Sequence, residues 1–280
     1  MHRFFVAPDI LAPINAALPP EVTTSDTGSE RVIVDAPEGQ LCVALPEKIS
    51  HQVRDVLHLG MGEQVVLLDN SGDEFLAAIV KSGRAGVEVQ VRERRKGKSE
   101  SPVRIVLCQG LLKSARFEWI LEKGTELGVA VFAPMLCRRS MAGLEEAGAA
   151  KIQRWQRIIQ EAAEQCGRAR VPELLPIRPL MHALNDIPRG ALAFMPWEEE
   201  RGRSMREGLE VGTSSMAGRE NPLDPVTVLL FIGPEGGLMA EEVQLAQRHG
   251  VQAVTLGPRI LRAETAALAA VANVMYEFGG

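Results

Sequence analysis

The chain has 280 residues, of which 46% are hydrophobic and 24% charged, and its formal net charge is −5. These values are ordinary for a globular protein and exclude a mainly disordered, collagen-like or coiled-coil chain. Because the chain has 36 acidic and 31 basic residues, any binding of nucleic acid has to depend on local basic patches.

The cysteines and histidines lack the spacing of a metal site. Cys42, Cys108, Cys137 and Cys166 form no C-x-x-C pair, so we expect no metal. Free thiols within apolar segments are typical of a reducing cytosol. The N-terminus MHRFFVAPDI does not look like a signal peptide, and no apolar run reaches the ~18 residues of a membrane span. We therefore expect a soluble, cytoplasmic protein without membrane contact.

Residues 31–92 are predicted to be mostly β-structure. Short β-branched or alternating runs recur between Gly and Asn/Asp turns, and one short helix is predicted at 47–59. Several short strands with little helix favour a small barrel. The charged run RERRKGKSESP at 92–102 is interpreted as a linker, which divides the chain into domains at 1–98 and 99–280.

From residue 103 onward, strands and helices alternate. Continuous apolar strands between helices predict an α/β domain, in which a parallel sheet carries helices on both faces. The predicted strands are 103–109, 129–136, 191–195, 226–232 and 251–256. Residues 197–225 are polar and aperiodic, and we expect a flexible insertion loop there. The final helix, 264–278, is rich in alanine, which predicts burial on all sides, against the chain itself or a second subunit.

Two glycine-containing loops near the C-terminus are the strongest functional signal. GPEGG (233–237) follows the strand at 226–232, and LGPRILRAET (256–265) follows the next predicted strand. Ligands of open α/β sheets bind beyond the carboxyl ends of strands, and glycine lets the backbone approach them closely. One such loop alone would be interpreted as a tight turn. Two loops that carry Glu235, Arg262 and Glu264 favour a ligand site.

Two pairs of arginines lie close to predicted element ends. Arg138 and Arg139 follow the strand at 129–136, whereas Arg168 and Arg170 follow a helix predicted at 151–165. Such basic residues usually form a solvated flank. Beside a glycine-lined pocket, however, arginine also suits phosphate recognition. Both interpretations stay open on these residues alone.

The chain resembles the RsmE-type 16S ribosomal RNA (uracil-N3)-methyltransferases, which belong to the SPOUT class of S-adenosylmethionine enzymes. The matching segments cover nearly the whole chain and are HRFFV (2–6), TELGV (125–129), EQCGRARVPE (164–173), FIGPEGG (231–237) and LGPRILRAETAAL (256–268). The resemblance implies an N-terminal PUA-like β-barrel that binds RNA. It also implies a C-terminal α/β domain with a trefoil knot, and a homodimer.

Three positions depart from the family pattern. Arg138 stands where the family usually has Glu, and His58 stands where it usually has Arg. Met239 replaces the usual Ser at the start of the helix after GPEGG, so the side-chain cap of that helix is expected to be lost.

The resemblance implies transfer of a methyl group from S-adenosylmethionine to N3 of a uridine in the 16S ribosomal RNA of the small subunit. The base must be unpaired and its N3 proton removed, and arginines can stabilise the charge that develops on the carbonyls. The catalytic candidates are Arg168, Arg262 and Glu264. Glu264 either orients Arg262, takes the proton, or is simply a carboxylate favoured at a helix start.

The same resemblance suggests which residues contact each ligand. The expected cofactor-binding residues are Leu136, Gly233, Pro234, Glu235, Gly236, Gly237, Leu256, Gly257, Ile260 and Leu261. The expected RNA-binding residues are Arg3, Arg138, Arg139, Arg168 and Arg170. Two alternatives remain: a SPOUT methyltransferase that acts on another RNA base, and a non-catalytic RNA-binding protein of ribosome assembly with a decayed pocket.

Overall fold

The computed structural model describes residues 1–17, 32–33, 41–140, 148–216 and 226–279. The chain divides into two compact units. The N-terminal unit comprises 1–100 together with 163–171, and the C-terminal unit comprises 101–162 and 172–280. The sequence interpretation assigned all residues after 98 to one domain. Residues 163–171 depart from it because their backbone and side chains bond to residues of the N-terminal unit.

The described residues of the N-terminal unit form a six-stranded mixed sheet of order β1-β4-β5-β6-β2, with β3 also paired to β6. The β1–β4 pair is parallel and the other pairs are antiparallel. The elements are β1 (His2–Phe5), α1 (Pro8–Ala17), β2 (Val32–Ile33), β3 (Cys42–Ala44), α2 (Glu47–His51), β4 (Gln64–Leu68), β5 (Asp73–Gly83) and β6 (Gly86–Lys96). The predicted helix at 47–59 is divided, because α2 passes into a π-helical turn at Gln52–Val56.

The charged run predicted as a linker is a strand over most of its charged residues, since β6 extends through Lys96. Its arginines pair with carboxylates on the neighbouring β5. Arg94 Nη2 lies 2.6 Å from Asp73 Oδ2, and Arg95 Nη2 lies 2.8 Å from Glu74 Oε2. Cross-strand pairs of opposite charge stabilise a sheet. A run without large apolar residues therefore forms a strand here, because its partner strand carries the matching charges.

The described residues of the C-terminal unit form a seven-stranded sheet in which every strand pair is parallel. The order is β10-β8-β7-β12-β11-β13, with β9 paired to β8. The strands are β7 (Val103–Gly110), β8 (Val129–Leu136), β9 (Glu173–Leu174), β10 (Arg178–Pro179), β11 (Leu192–Pro196), β12 (Val226–Ile232) and β13 (Gln252–Val254). The helices are α3 (Ser114–Glu126), α4 (Ala149–Cys166), α5 (Leu180–Asn185), α6 (Met205–Met216), α7 (Ala240–Arg248) and α8 (Ala263–Phe278).

Alternating side chains of the central strand β12 reach two apolar layers. Phe231 belongs to a core cluster that includes Leu180 of α5 and Val243 of α7. Leu230, its neighbour, is fully buried and points to the opposite side, where α3 and α8 pack against the strands. This arrangement matches the predicted parallel sheet with helices. None of the helices that the structure describes has both the length and the apolar character to cross a bilayer.

One prediction about the C-terminal unit needs correction. Residues 197–225 are not a loop throughout, because 205–216 form α6 and Met205 and Leu209 are buried; residues 217–225 lie outside the described residues. The final helix α8 buries only part of its surface within its own unit, and its burial against a second subunit stays a prediction. Its Ala267, Ala270, Val271 and Val274 face the core, whereas Tyr276 is 90% exposed.

Candidate functional site

The candidate site lies at the carboxyl edge of the parallel sheet, where β11 separates β12 from β13. The segments that follow these three strands line two adjoining cavities of about 350 Å³ and 70 Å³. The larger volume falls within the ~300–1,000 Å³ typical of small-molecule sites. The residues that line both cavities are Pro196, Glu198, Ile260, Leu261 and Ala266. The two glycine-containing loops predicted from sequence therefore share one site.

The GPEGG loop is held close to the end of β7. The Gln109 side-chain amide donates to the carbonyl oxygen of Gly233 at 3.3 Å and to that of Gly110 at 2.9 Å. A Cβ atom on Gly110 would lie 2.7 Å from the backbone nitrogen of Pro234, so only glycine permits this approach. Residues 233–237, all predicted to bind the cofactor, line the larger cavity.

Contacts from two other elements fix the same loop. The backbone N–H of Lys113, which precedes α3, donates to Glu235 Oε1 at 3.2 Å. Arg139 Nη1 donates to the carbonyl oxygen of Gly236 at 3.0 Å. A carboxylate at a helix N-terminus is stabilised by the helix dipole. Glu235 and Gly236 are thus anchored by two segments that are distant from the loop in sequence.

The second loop turns at Gly257, whose φ of +117° is rarely adopted by residues with a side chain. Thr255 Oγ1 accepts from the backbone N–H of Gly257 at 3.2 Å and donates to its carbonyl oxygen at 3.1 Å. Leu256, Gly257, Ile260 and Leu261, all predicted cofactor contacts, line the smaller cavity. Ile260 is 81% exposed, so this side chain covers the cavity and does not belong to the core.

A charged cluster lies in the larger cavity. Arg116, in the first turn of α3, lies 3.6 Å from Glu235 Oε1 through Nη1 and 3.7 Å from Glu264 Oε1 through Nε. Glu264, in the first turn of α8, has a largely buried side chain, and among the described residues its Oε2 finds no hydrogen-bond partner. Arg262 precedes α8 and also lines the cavity. The cation nearest to Glu264 is therefore Arg116, which sequence analysis overlooked.

Two predicted ligand-binding residues at the end of β8, Leu136 and Arg138, do not line the two cavities. Leu136 ends β8 but is not among the described residues that line either cavity. The backbone N–H of Arg138 donates to Glu242 Oε1 at 2.8 Å, and Glu242 Oε2 accepts from the N–H of Met239 at 2.9 Å. The buried Glu242 thus supplies the hydrogen bond at the start of α7, where Met239 carries no hydroxyl.

The arginines of the EQCGRAR motif belong to the N-terminal unit. Arg168 is buried and pairs with Glu100, Nη2 to Oε2, at 2.8 Å. Glu100 Oε1 also accepts from the backbone N–H groups of residues 169 and 170, each at 3.1 Å. Arg170 donates to the carbonyl oxygen of Ser71 at 2.6 Å, and Arg3 pairs with Glu74. Their roles in catalysis and RNA binding stay predictions.

The sequence interpretation also overlooked the segment after β11. Pro196, Trp197, Glu198 and Arg201 line the cavities but fall in or next to the stretch read as an insertion. Their position directly after a predicted strand was the available signal, because that strand ends at the same edge as β12 and β13.

The thiols of the C-terminal unit are unsuited to nucleophilic chemistry. Burial, reinforced by the negative charge of Asp186, raises the pKa of Cys108 to about 12. Burial, reinforced by Glu242, raises the pKa of Cys137 to about 12. All four cysteines are free, and in the part of the chain that the structure describes no group of three or more His, Cys, Asp or Glu is arranged to hold a metal. The groups that remain for binding and chemistry at the site are the backbone of the two glycine loops, the apolar side chains of Ile260 and Leu261, and the cluster of arginine and glutamate side chains.

Comparison with known proteins places this geometry in a family. Residues 99–275 match the family model of the RNA methyltransferase domain. The chain is 32% identical over 229 residues to ribosomal RNA small subunit methyltransferase E of Bacillus subtilis, which covers 81% of this chain and 87% of that protein.

Two solved structures resemble all or most of the chain. Ribosomal RNA small subunit methyltransferase E from Neisseria gonorrhoeae, bound to S-adenosylmethionine, has a TM-score of 0.75 and 28% identity, covering 100% of this chain and 98% of that one. A methyltransferase from Legionella pneumophila, in complex with the same cofactor, has a TM-score of 0.72 and 31% identity over 85% of this chain and 93% of that one. The chain described here belongs to the ribosomal RNA small subunit methyltransferase E family.

Proposed function

We propose that this protein transfers a methyl group from S-adenosylmethionine to N3 of a uridine in the 16S ribosomal RNA of the small subunit. The observation that carries the proposal is the cavity of about 350 Å³ between the GPEGG loop and the start of α8. The cavity combines glycine backbone, which a ligand can approach closely, with the largely buried carboxylate of Glu264 and the side chains of Arg116 and Arg262. Relatives with the same fold bind S-adenosylmethionine.

The residues that line the two cavities suit this methyl donor. Ile260 and Leu261 offer apolar cover for a flat adenine ring, and the backbone of 233–237 and 256–257 offers polar groups for the adenosine. When bound, S-adenosylmethionine supplies a methyl group on a positively charged sulfur. The anchoring of Glu235 and Gly236 to neighbouring elements holds the loop in place before the ligand arrives.

The proposed reaction needs the N3 proton removed and the resulting negative charge stabilised. Uracil N3–H is a weak acid between two carbonyls, and it lies on the pairing edge, so the base has to leave its stack to reach the site. Glu264 takes the proton, and Arg262 stabilises the charge on a uracil carbonyl. Both line the same cavity. Arg168 remains a further candidate for charge stabilisation on the resemblance alone.

We further propose that the N-terminal unit is a PUA-like barrel that binds RNA and that the C-terminal unit contains a trefoil knot. The mixed sheet of short strands supports the first assignment. The knot is supported by the path of α8, which follows the edge strand β13 and returns to pack on the central strands β7 and β12. Arg3, Arg138, Arg139, Arg168 and Arg170 are the proposed RNA contacts.

A homodimer and a cytoplasmic location complete the proposal. Trp119 of α3 and Tyr276 of α8 are 43% and 90% exposed, and helix faces that present such aromatic residues are typical of surfaces covered by a partner. The free thiols support a reducing compartment.

Nucleoside mass spectrometry of 16S ribosomal RNA from a strain that lacks the gene tests the proposed activity. We expect 3-methyluridine to disappear and to return when the wild-type gene is restored. An unchanged 3-methyluridine content would contradict the proposal, and loss of a different methylated nucleoside would indicate a related enzyme that acts on another base. Calorimetric titration with S-adenosylmethionine separates an enzyme from a decayed, non-catalytic RNA-binding protein.

A further inference from the structure

We propose that Arg116 is a positioning residue that fixes the orientation of the Glu264 carboxylate and directs its oxygen Oε2 to the N3 proton of the target uridine. This inference rests on the proposed function and deepens it. Arg116, which occupies the first turn of α3, is not among the site residues predicted from the sequence.

The argument starts from the two oxygens of Glu264. Oε1 lies 3.7 Å from Arg116 Nε. Oε2 is buried and, within the described part of the chain, has no hydrogen-bond partner. A buried carboxylate oxygen without a donor is unfavourable, because it has lost its bonds to water and gained none in return. Such an atom at the wall of a cavity is a ready acceptor for a proton that a ligand brings.

The placement of Arg116 depends on two helix starts. The α3 and α8 helices pack against each other, and Arg116 and Glu264 each lie in the first turn of their helix. Arg116 also lies 3.6 Å from Glu235 Oε1, which the N–H of Lys113 fixes at 3.2 Å. The guanidinium therefore connects the GPEGG loop to the start of α8 and limits the orientations of the Glu264 carboxylate.

The charges favour this role over phosphate binding by Arg116. Its single positive charge faces two carboxylates at similar distances, so an approaching phosphate would meet a locally negative pair. A guanidinium beside a carboxylate attracts it and restricts its orientation. The first turn of α8 adds the positive end of a helix dipole at Glu264. Both attractions hold the Glu264 carboxylate in place at the cavity wall.

The resulting step balances in atoms and charge. The N3–H proton moves to Glu264 Oε2, and N3 forms a bond to the methyl carbon while the carbon–sulfur bond breaks and leaves its electron pair on sulfur. The products are 3-methyluridine, a neutral thioether and protonated Glu264, which returns its proton to solvent after the base leaves. Arg116 touches no reacting atom in this scheme and acts through Glu264.

The test compares Glu264→Gln, Arg116→Gln and Arg116→Lys with a matched control, Arg206→Gln. Arg206 also lies in the first turn of a helix of the C-terminal unit and pairs with Glu210 at 3.0 Å, but it is highly exposed and lines neither cavity. Steady-state methylation of small subunits from the deletion strain gives kcat and the KM for RNA for each variant. Calorimetry gives the affinity for S-adenosylmethionine, and thermal unfolding checks the fold.

We expect Glu264→Gln to lower kcat by about 10²–10⁴-fold, the usual contribution of a general base. Arg116→Gln should lower kcat by roughly 10-fold or more while the KM for RNA stays close to wild type, because the Glu264 carboxylate loses the group that fixes its orientation. Arg116→Lys should restore part of the rate, and Arg206→Gln should behave as wild type. Affinity for S-adenosylmethionine should stay within about threefold in all folded variants.

Three results would overturn the inference while leaving the proposed methyl transfer to 16S ribosomal RNA intact. One is a Glu264→Gln variant with nearly wild-type kcat, which would also remove Glu264 as the group that takes the proton. Another is an Arg116→Gln variant that raises only the KM for RNA, which would make Arg116 an RNA contact. A third is an Arg116→Gln variant whose affinity for S-adenosylmethionine falls in parallel with its kcat. A wild-type enzyme that forms no 3-methyluridine would instead contradict the proposed function itself.

Discussion

Replacing Gly257 by Ala should weaken S-adenosylmethionine binding without unfolding the protein. Gly257 turns the second loop at φ +117°, and no described atom outside its immediate neighbours lies within 4 Å of a Cβ built on it. The added methyl group therefore meets no obstacle in the surroundings. Its cost comes from the backbone conformation, which is about 1–3 kcal/mol for a residue in a sparsely populated region.

The loop can relieve that strain by leaving its turn, which breaks the two hydrogen bonds between Thr255 and Gly257. Binding of the cofactor then has to restore the strained turn, so the strain subtracts from the binding energy. Since 1.4 kcal/mol is a factor of ten, we expect S-adenosylmethionine affinity to fall by roughly 5–150-fold. Calorimetric titration measures this directly.

Gly250→Ala is the matched control. Gly250 follows α7 with φ +83°, a Cβ there also meets open space, and it lines neither cavity. It should lose similar stability in thermal unfolding but keep wild-type affinity. Wild-type affinity of a folded Gly257→Ala variant would refute the reasoning, and equal losses of affinity in both variants would show that general destabilisation explains the effect.

Three further predictions concern the thiols, the N-terminal unit and the RNA. Burial raises the pKa values of Cys108 and Cys137 to about 12, so their thiolate fraction at pH 8 is very small. Iodoacetamide should therefore label the exposed Cys42 in the native protein, and Cys108 and Cys137 only after unfolding. Rapid labelling of Cys108 or Cys137 in the native protein, detected by peptide mass spectrometry, would contradict this prediction. Arg168→Ala should lower the free energy of unfolding by about 1–3 kcal/mol in denaturant titrations, because Glu100 loses its charged partner. The affinity for S-adenosylmethionine should stay unchanged. Loss of that affinity in a folded variant would instead assign Arg168 to the pocket. Raising the salt concentration from 50 to 200 mM should weaken RNA binding by about tenfold or more in filter-binding assays, and affinity independent of salt would argue against recognition through arginines.

The sequence predicted the central part of the C-terminal unit well, because its signals are local. The apolar runs of β7, β8 and β12 are continuous, and the glycines of 233–237 directly follow a strand. Parallel strands with helices between them bring their carboxyl ends to one edge, so the shared cavity followed from order along the chain.

The remaining features depend on partners distant in sequence. β6 continues beyond residue 92 because Asp73 and Glu74 on β5 match Arg94 and Arg95. Residues 163–171 join the N-terminal unit through Glu100. Arg116 reaches the site only because α3 packs against α8. None of these pairings leaves a periodic or spaced pattern along the chain, so sequence reasoning could not have found them.

The central claim is tested most directly by incubating 16S ribosomal RNA from a strain that lacks the gene, free or in small subunits, with the purified protein and S-adenosylmethionine. Nucleoside mass spectrometry then identifies the product. We predict one methyl group per RNA, on N3 of a uridine, formed at a reduced rate by Gly257→Ala at limiting S-adenosylmethionine and at the wild-type rate by Gly250→Ala. An RNA that stays unmethylated under all these conditions, or carries the methyl group on another nucleoside, would contradict the account.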